Sequence, residues 1–375
     1  MNFIDICSGI GGFRSALEMN GHNCLAFAEI DKYAKQSYRA IYDTEGEEDL
    51  DDITTITDEH FRLYRGQCDI ITAGFPCQSF SIAGKRAGFE DTRGTIFFHI
   101  ARAIKEIQPS YVLLENVKGL LSHDEGWTYR TIVQTLDELG FISEWGMFNS
   151  KYWGVPQNRE RVYILVTRKD KFKGPLLFDL LKQQTEVTRR LIDVLEDEVD
   201  EKYYFSEEKL KKLTLDINLT IDEEPRISIV ENTSRTNYYA ANIYDSYGLS
   251  TTVAARDYMG PKQIAVREAT KKGYALAEQG DSINVSYPTS KTRRGRVGKQ
   301  VAQTLQAGEV NQGVVMNDIR IRKLVPIETW RLQGFSDEQF YKAKNSGVSN
   351  SQLYKQAGNS VTVNVVDAIV KKLKE

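Results

Sequence analysis

A cysteine, a glutamate and a pair of arginines stand at the ends of apolar runs, where a fold can bring such groups to one edge. Cys77 lies in Gly74-Phe75-Pro76-Cys77-Gln78-Ser79-Phe80-Ser81, just beyond the apolar run Asp69-Ile70-Ile71-Thr72-Ala73. That run reads as a buried parallel strand, and the Pro-Cys step opens the loop at its carboxyl end, the edge at which open α/β sheets carry their sites. A thiol there suits a nucleophile, whereas a lone Cys elsewhere is more often a core residue. Glu115 ends a second apolar run, Val112-Leu113-Leu114-Glu115-Asn116-Val117. Apolar surroundings raise the pKa of a carboxyl and let it hand on a proton at neutral pH. Arg159 and Arg161, in Gln157-Asn158-Arg159-Glu160-Arg161, are two residues apart and so share a face of an extended segment. Each of these taken singly also reads as a capped strand end or a surface ion pair.

A second set of residues points to a ligand. Asp5-Ile6-Cys7-Ser8-Gly9-Ile10-Gly11-Gly12-Phe13-Arg14 follows the first apolar run and opens a helical pattern. A Gly-rich turn in that place lets a ligand approach the backbone. Arg14 occupies the position where a dinucleotide fingerprint needs its third glycine, which disfavours a pyrophosphate ligand. Glu29 falls twenty residues after Gly9 at the end of the next apolar run, where a carboxylate can accept ribose hydroxyls. A nucleoside cofactor without a pyrophosphate fits both features, S-adenosylmethionine being the common one.

These residues need an alternating framework. Strands are expected at 2–7, 23–29, 68–73, 111–115, 142–149 and 161–167, with amphipathic helices such as 95–107 and 130–139 between them, which is a doubly wound α/β arrangement. From about Lys169 to Leu213 the chain turns charged and helix-forming and reads as a solvated connector. From about 225 to 320 short β-prone pieces are broken by Gly, Asn and Ser, so a second, β-rich domain is expected there. Ile327–Leu332 and Val361–Leu373 return to helical patterning and are expected to pack back on the first domain. Ser250–Asp257 resembles Val301–Glu309, either as two similar strands or as a duplicated recognition element.

Composition narrows the class. The formal net charge is −3, but residues 225–327 carry 15 basic and 8 acidic side chains, a local footprint that phosphates attract. The four cysteines, Cys7, Cys24, Cys68 and Cys77, contain no C-x-x-C pair, which argues against a zinc site or a disulfide framework. The amino terminus enters a strand without a basic n-region, and no apolar run approaches the length of a membrane span. The expectation is therefore a protein without a metal site, neither secreted nor membrane-spanning, working in a reducing, cytoplasmic compartment.

In this order of motifs the chain resembles the DNA (cytosine-5) methyltransferases of bacterial and phage modification systems. The likeness runs through the Gly-rich turn, Pro76-Cys77-Gln78, Glu115-Asn116-Val117, Gln157-x-Arg159-x-Arg161, a variable region, Arg331-Leu332-Gln333-Gly334-Phe335 and Gly358-Asn359-Ser360-Val361. The resemblance implies a Rossmann-like S-adenosylmethionine-dependent sheet with a smaller β-rich target-recognition domain. It places a catalytic and cofactor-binding domain at 1–178 and 326–375, an acidic helical connector at 179–224 and the recognition domain at 225–325. It implies that Cys77 adds to C6 of a flipped cytosine, that Glu115 contacts N3 and the exocyclic amine, and that Arg161 holds the O2 edge with Arg159 nearby. It carries Gly9, Ile10, Gly11, Glu29, Ile30, Asp52, Ile53, Pro76, Ile96, Asn359, Ser360 and Val361 over as S-adenosylmethionine contacts, with Asp52 receiving the adenine amine. Cys7 stands where many members have Phe, and Ile30 where an aromatic residue is frequent, so somewhat weaker cofactor binding is expected.

On the DNA side the resemblance implies contacts from Gln78, Ser81, Lys85, Arg86 and Arg93 after the nucleophile, and from Arg293, Arg294, Arg296 and Thr304 in the recognition domain. It further implies a monomer acting on double-stranded DNA and a cognate restriction endonuclease as functional partner. An RNA cytosine methyltransferase is the nearest alternative, but that class typically uses a second Cys, and none follows Cys77. A catalytically silent DNA-binding relative is opposed by the presence of Cys77, Glu115 and Arg161, and a nicotinamide-dependent oxidoreductase by Arg14.

Overall fold

The computed structural model describes residues 1–76, 95–206, 229–232, 242–244, 263–307, 311–316 and 320–373. The chain divides into two compact units: Met1–Val155, Arg159–Thr188 and Gln333–Glu375 form the first, and Pro156–Asn158 with Arg189–Leu332 the second.

The first unit is built on seven strands: β1 (Asn2–Ile6), β2 (Asn23–Ala28), β3 (Glu48–Asp49), β4 (Ile70–Gly74), β5 (Tyr111–Val117), β6 (Phe141–Asn149) and β7 (Glu160–Arg168), in the spatial order β3-β2-β1-β4-β5-β7-β6. Strands β1 to β5 pair in parallel, and β7 runs antiparallel between β5 and β6. One face of the sheet's centre is wholly apolar, Ile4, Ile6, Ile71, Ala73, Val112, Leu114, Val162, Ile164 and Val166 belonging to one buried cluster, and on the other Phe3, Ile70, Leu113 and Leu165 are buried beside the hydrogen-bonded pair Asp5 and Thr72.

Helices α1 (Gly12–Met19), α2 (Lys32–Ile41), α3 (Asp58–Arg62), α4 (Ile96–Ile107), α5 (Trp127–Glu138) and α6 (Leu177–Leu181) connect or follow the strands. Side-chain caps fix several starts: Asp31 accepts from the Tyr33 and Ala34 amides at α2, and Thr95 from the Phe98 amide at α4. The C-terminal segment adds α7 (Asp337–Asn345), α8 (Asn350–Asn359) and α9 (Val363–Lys372). Asn20, just past α1, donates to Asp367 of α9 at 2.7 Å, and Gln356 of α8 joins Ser37 of α2 at 3.0 Å. The expected return of the last helix to the first domain is therefore seen.

In the second unit, Gln263–Arg267 pairs antiparallel with Tyr274–Glu278 and parallel with Asn242–Tyr244, which pairs antiparallel with Ile229–Asn232. A second sheet orders Val297–Gly298, Ser282–Asn284, Gln312–Val315 and Ile321–Lys323. Phe205, Ile264, Val266, Ala277, Ile283, Val285, Val315 and Ile321 form its core.

One expectation changes here and another is refined. The segment after Lys169, read as a solvated, helix-forming connector, is mostly exposed in its described part but is anchored at a few apolar residues. It contains α6 and two single turns, Leu191–Val194 and Glu201–Tyr203, with Leu177, Leu180, Leu191 and Val194 buried. Spaced apolar residues anchor it between the charged ones. Residues 207–224 and the Ser250–Asp257 element lie outside the described residues. The helix Pro326–Arg331 groups with the second unit instead of the first. There Glu328 and Arg322, both fully buried, pair at 2.8 Å.

Candidate active site

The turn after β1 is shaped by three residues with positive φ, Cys7 (53°), Gly9 (58°) and Gly11 (80°). Its two later glycines are required by packing. A Cβ on Gly11 would meet the Tyr42 ring at 2.3 Å, and one on Gly12 would meet Val361 Cγ2 at 2.6 Å and Ser360 Oγ at 2.9 Å. The Tyr42 hydroxyl donates to the Gly11 carbonyl at 2.7 Å, which locks the turn from beneath. A Cβ on Gly9 would find nothing within 4 Å, so this is the position where backbone faces open space.

Carboxylates border that opening. Glu29 accepts from the Gly9 amide at 2.8 Å with one oxygen and from the Asp31 amide at 2.8 Å with the other, leaving a lone pair on each. Asp52 caps the turn Ile53–Thr55 by accepting from the Thr54 amide, a bond that holds its pKa below the usual carboxylate range. Arg14, only 2% exposed, donates to both Glu47 oxygens at 2.6 and 2.7 Å and to the Asp43 carbonyl at 2.8 Å. The residue that breaks the dinucleotide pattern thus fastens the acidic stretch ending at Asp52.

Of the other expected cofactor contacts, Ile30 is 72% exposed and Asn359 and Pro76 are exposed, while Ile96 is half-buried. Ile10, Ile53, Ser360 and Val361 have buried side chains. Ile10 and Ile53, at 1% and 4% exposure, can offer a ligand little but backbone. An open glycine flanked by carboxylates suits hydroxyl and amine donors and repels phosphate, so these residues fit an adenosine-type cofactor such as S-adenosylmethionine.

Glu115 sits on β5 directly opposite Tyr163 of β7, and Arg161 lies opposite Val117. Glu115 and Arg161 are therefore diagonal neighbours on one face, and Arg161 Nε lies 3.2 Å from the carboxylate. Burial raises the Glu115 pKa, and Arg161 and Arg159 oppose that rise. Arg159 is buried and donates to the carbonyls of Gly358 and Ser360. Burial, helped by Arg161, brings its pKa down to about 10, so it remains charged at neutral pH. Because β7 runs antiparallel, its amino-terminal end reaches the same edge as the carboxyl ends of β4 and β5. Sequence reasoning passed over Asn116, whose side-chain amide donates to the Phe75 carbonyl at 2.8 Å and so fixes the chain two residues before Cys77. Its place in Glu115-Asn116-Val117 was the available signal. Cys77, Gln78, Ser81, Lys85, Arg86 and Arg93 lie outside the described residues.

In the second unit Arg294 is exposed and Arg293 half-buried, but Arg296 must be corrected. It is fully buried, donating to the carbonyls of Asn284 (3.0 Å), Ser286 (2.9 Å) and Tyr287 (2.6 Å), so its guanidinium closes a loop and is not offered to DNA. Thr304 donates to the Asn158 carbonyl at 2.9 Å. Gln157, whose part sequence reasoning did not find, is fully buried, donating to the Leu332 carbonyl and accepting from the Leu305 amide. Among the described residues no cluster of His, Cys, Asp or Glu could hold a metal ion, and no helix is long and apolar enough to cross a membrane.

A mostly parallel sheet with one antiparallel strand inserted before its edge, a turn that fits an adenosine-type ligand and a carboxylate–arginine pair are the features of a nucleoside-dependent enzyme. The family model for C-5 cytosine-specific DNA methylases matches residues 1–375, and the chain belongs to that family. It is a DNA (cytosine-5)-methyltransferase. The orphan methyltransferase M.SPRI of Bacillus phage SPR is 36% identical, with all of this chain and 97% of the relative covered. The type II methyltransferase M.HpaII of Haemophilus parainfluenzae is 35% identical, covering all of this chain and 89% of the relative. The Dnmt2 methyltransferase of S. pombe shares the fold at a TM-score of 0.59 and 18% identity, covering all of this chain and 97% of that one.

Proposed function

We propose that this enzyme methylates C5 of one cytosine within a short DNA sequence, using Cys77 as a covalent nucleophile, Glu115 as proton donor and Arg161 as the fixed cation. The observation that carries the reading is the buried Glu115 carboxyl against Arg161 at 3.2 Å, on the strand beside the one that leads into Pro76-Cys77. C5 of cytosine is a weak nucleophile. Addition of the Cys77 thiolate to C6, with a proton passed from Glu115 to N3, makes C5 enamine-like. Burial favours the protonated form of Glu115 that this step needs. Arg161 steadies the thiolate and the charge that develops on the ring. S-adenosylmethionine, when bound, supplies an electrophilic methyl group for C5, held by the Gly9 backbone, Glu29, Asp52 and the segment Asn359-Ser360-Val361. Loss of the C5 proton then restores the ring double bond and expels Cys77. A stacked base is out of reach of such a site, so the cytosine must be flipped from the duplex.

Residues 225–325 are assigned to target recognition, with Arg293 and Arg294 reaching DNA. The enzyme is assigned to the cytoplasm as a monomer. Protection against a cognate endonuclease is the expected role where the gene is paired with one; the resemblance to both an orphan and a type II enzyme admits either setting. Base-resolution 5-methylcytosine mapping of a plasmid from cells expressing the chain, beside a Cys77→Ser control, tests the proposal. Methylation at one recurring sequence, absent from the control, is expected. Full methylation by Cys77→Ser would overturn the covalent route.

A further inference from the structure

Arg159 belongs by sequence to the group that faces the target base, yet its guanidinium is spent elsewhere. It is 3% exposed and donates to the Gly358 carbonyl from both terminal nitrogens at 3.2 Å, and to the Ser360 carbonyl at 2.8 Å. These are the last carbonyls of α8 and the residue after it, where a helix leaves acceptors without intrahelical partners. The chain turns out of α8 through an extended Ser360, without the left-handed residue that commonly satisfies such carbonyls. The guanidinium fork supplies the donors instead.

The segment it holds is the one that presses on the cofactor turn. Val361 and Ser360 are the atoms that a Cβ on Gly12 would strike. Arg159 is itself held from behind: its amide donates to Asn149 Oδ1 at 3.2 Å and its carbonyl accepts from the Ser150 amide at 3.1 Å. A short, rigid path therefore runs from the start of β7 through Arg159 to residues 358–361 and on to Gly12.

We infer that Arg159 is a positioning residue for the cofactor segment 358–361, and that it acts on cofactor affinity and not on the cytosine. The inference rests on the proposed role of Asn359-Ser360-Val361 toward S-adenosylmethionine. A lysine keeps the charge but cannot span two carbonyls with a planar fork, so Arg159→Lys isolates the geometry from the charge.

The test uses the full chain without DNA. Binding of S-adenosylhomocysteine is measured by calorimetry, and amide hydrogen exchange at 358–361 is followed in the cofactor-free protein. For Arg159→Lys the expected result is a Kd weakened tenfold or more and faster exchange confined to that segment, while Arg161→Lys changes both by less than twofold. A folded Arg159→Lys with wild-type Kd and wild-type exchange would overturn the inference. Should Arg159→Lys not fold, Arg159→Gln, which retains one planar amino donor, is judged by the same two readouts. Failure of the wild-type chain to bind the cofactor would instead count against the proposed function, and the exchange measurement would still judge Arg159.

Discussion

Removing the charge of Arg161 should make protein stability depend on pH in a way that reports Glu115 directly. In the wild type, burial raises the Glu115 pKa and Arg161, 3.2 Å away, opposes the rise. With charge centres about 4–5 Å apart and an effective dielectric of about 20, their attraction is ~3–4 kcal/mol. Because both side chains keep a little solvent contact, at 15% and 11% exposure, the net effect on the carboxyl is smaller than this attraction. Arg161→Met should therefore raise the folded-state pKa further. A carboxyl whose folded pKa lies above its unfolded value loses stability as pH rises, at about 1.4 kcal/mol per unit, until the folded pKa is passed. Below the unfolded pKa of about 4.3 the glutamate is protonated in both states and the charge-dependent penalty vanishes. The wild type stops losing stability at its own folded pKa, and the variant continues to its higher one. Urea unfolding at pH 5 and pH 8 should thus show the variant's deficit larger at pH 8, by less than the ~3–4 kcal/mol of that attraction, and the double variant Arg161→Met, Glu115→Gln should show no such growth. A deficit that is the same at both pH values would refute the coupling.

Further outcomes follow from other contacts. Arg296→Met removes a buried guanidinium's bonds to the carbonyls of Asn284, Ser286 and Tyr287, the last of which keeps the Ser290 amide, and should cost about 2–3 kcal/mol in urea unfolding. Exposed Arg294→Ala should leave stability within about 0.5 kcal/mol and flatten the salt dependence of DNA binding in a filter assay. Gly11→Ala must displace the Tyr42 ring and should lower the thermal midpoint, whereas Gly9→Ala meets no atom and should cost only about 1–2 kcal/mol of backbone strain while weakening S-adenosylmethionine in equilibrium dialysis. Asp5 is fully buried with one oxygen unpartnered, and burial pushes its pKa up to about 8. Its folded pKa lies above the unfolded value, so the wild type should lose stability between about pH 4 and pH 8, and Asp5→Asn, measured by denaturation across that window, should gain on it as pH rises.

The framework was largely written in the period of apolar runs. Strands β1, β2, β4, β5, β6 and β7 lie within two residues of where alternation and Val/Ile/Leu content put them, because a doubly covered sheet leaves few polar positions to blur the pattern. The antiparallel course of β7 was legible too, though unread: ten residues without a helical pattern separate β6 from β7, too short a link for a parallel crossover. The pairing of Glu115 with Arg161 followed once both lay on adjacent strands. Arg296 was misread because a basic loop looks solvated by composition, while its burial depends on carbonyls at 284, 286 and 287 that only the folded loop brings together. Arg159 shares a motif with Arg161, yet which acceptor each meets is decided by residues 358–360, some two hundred positions away.

The completion of the first unit by residues 333–375 bears on how the chain is made. Between Thr188 and Gln333 lie 144 residues of the second unit. At ~5–20 residues per second, translation of that stretch occupies about 7–30 s. Throughout it α1 and α2 lack the neighbours that Gln356 and Asp367 later provide. A nascent chain in that interval offers an unfinished apolar face to chaperones, and a message truncated before α8 yields a protein without the Ser360-Val361 contact on Gly12.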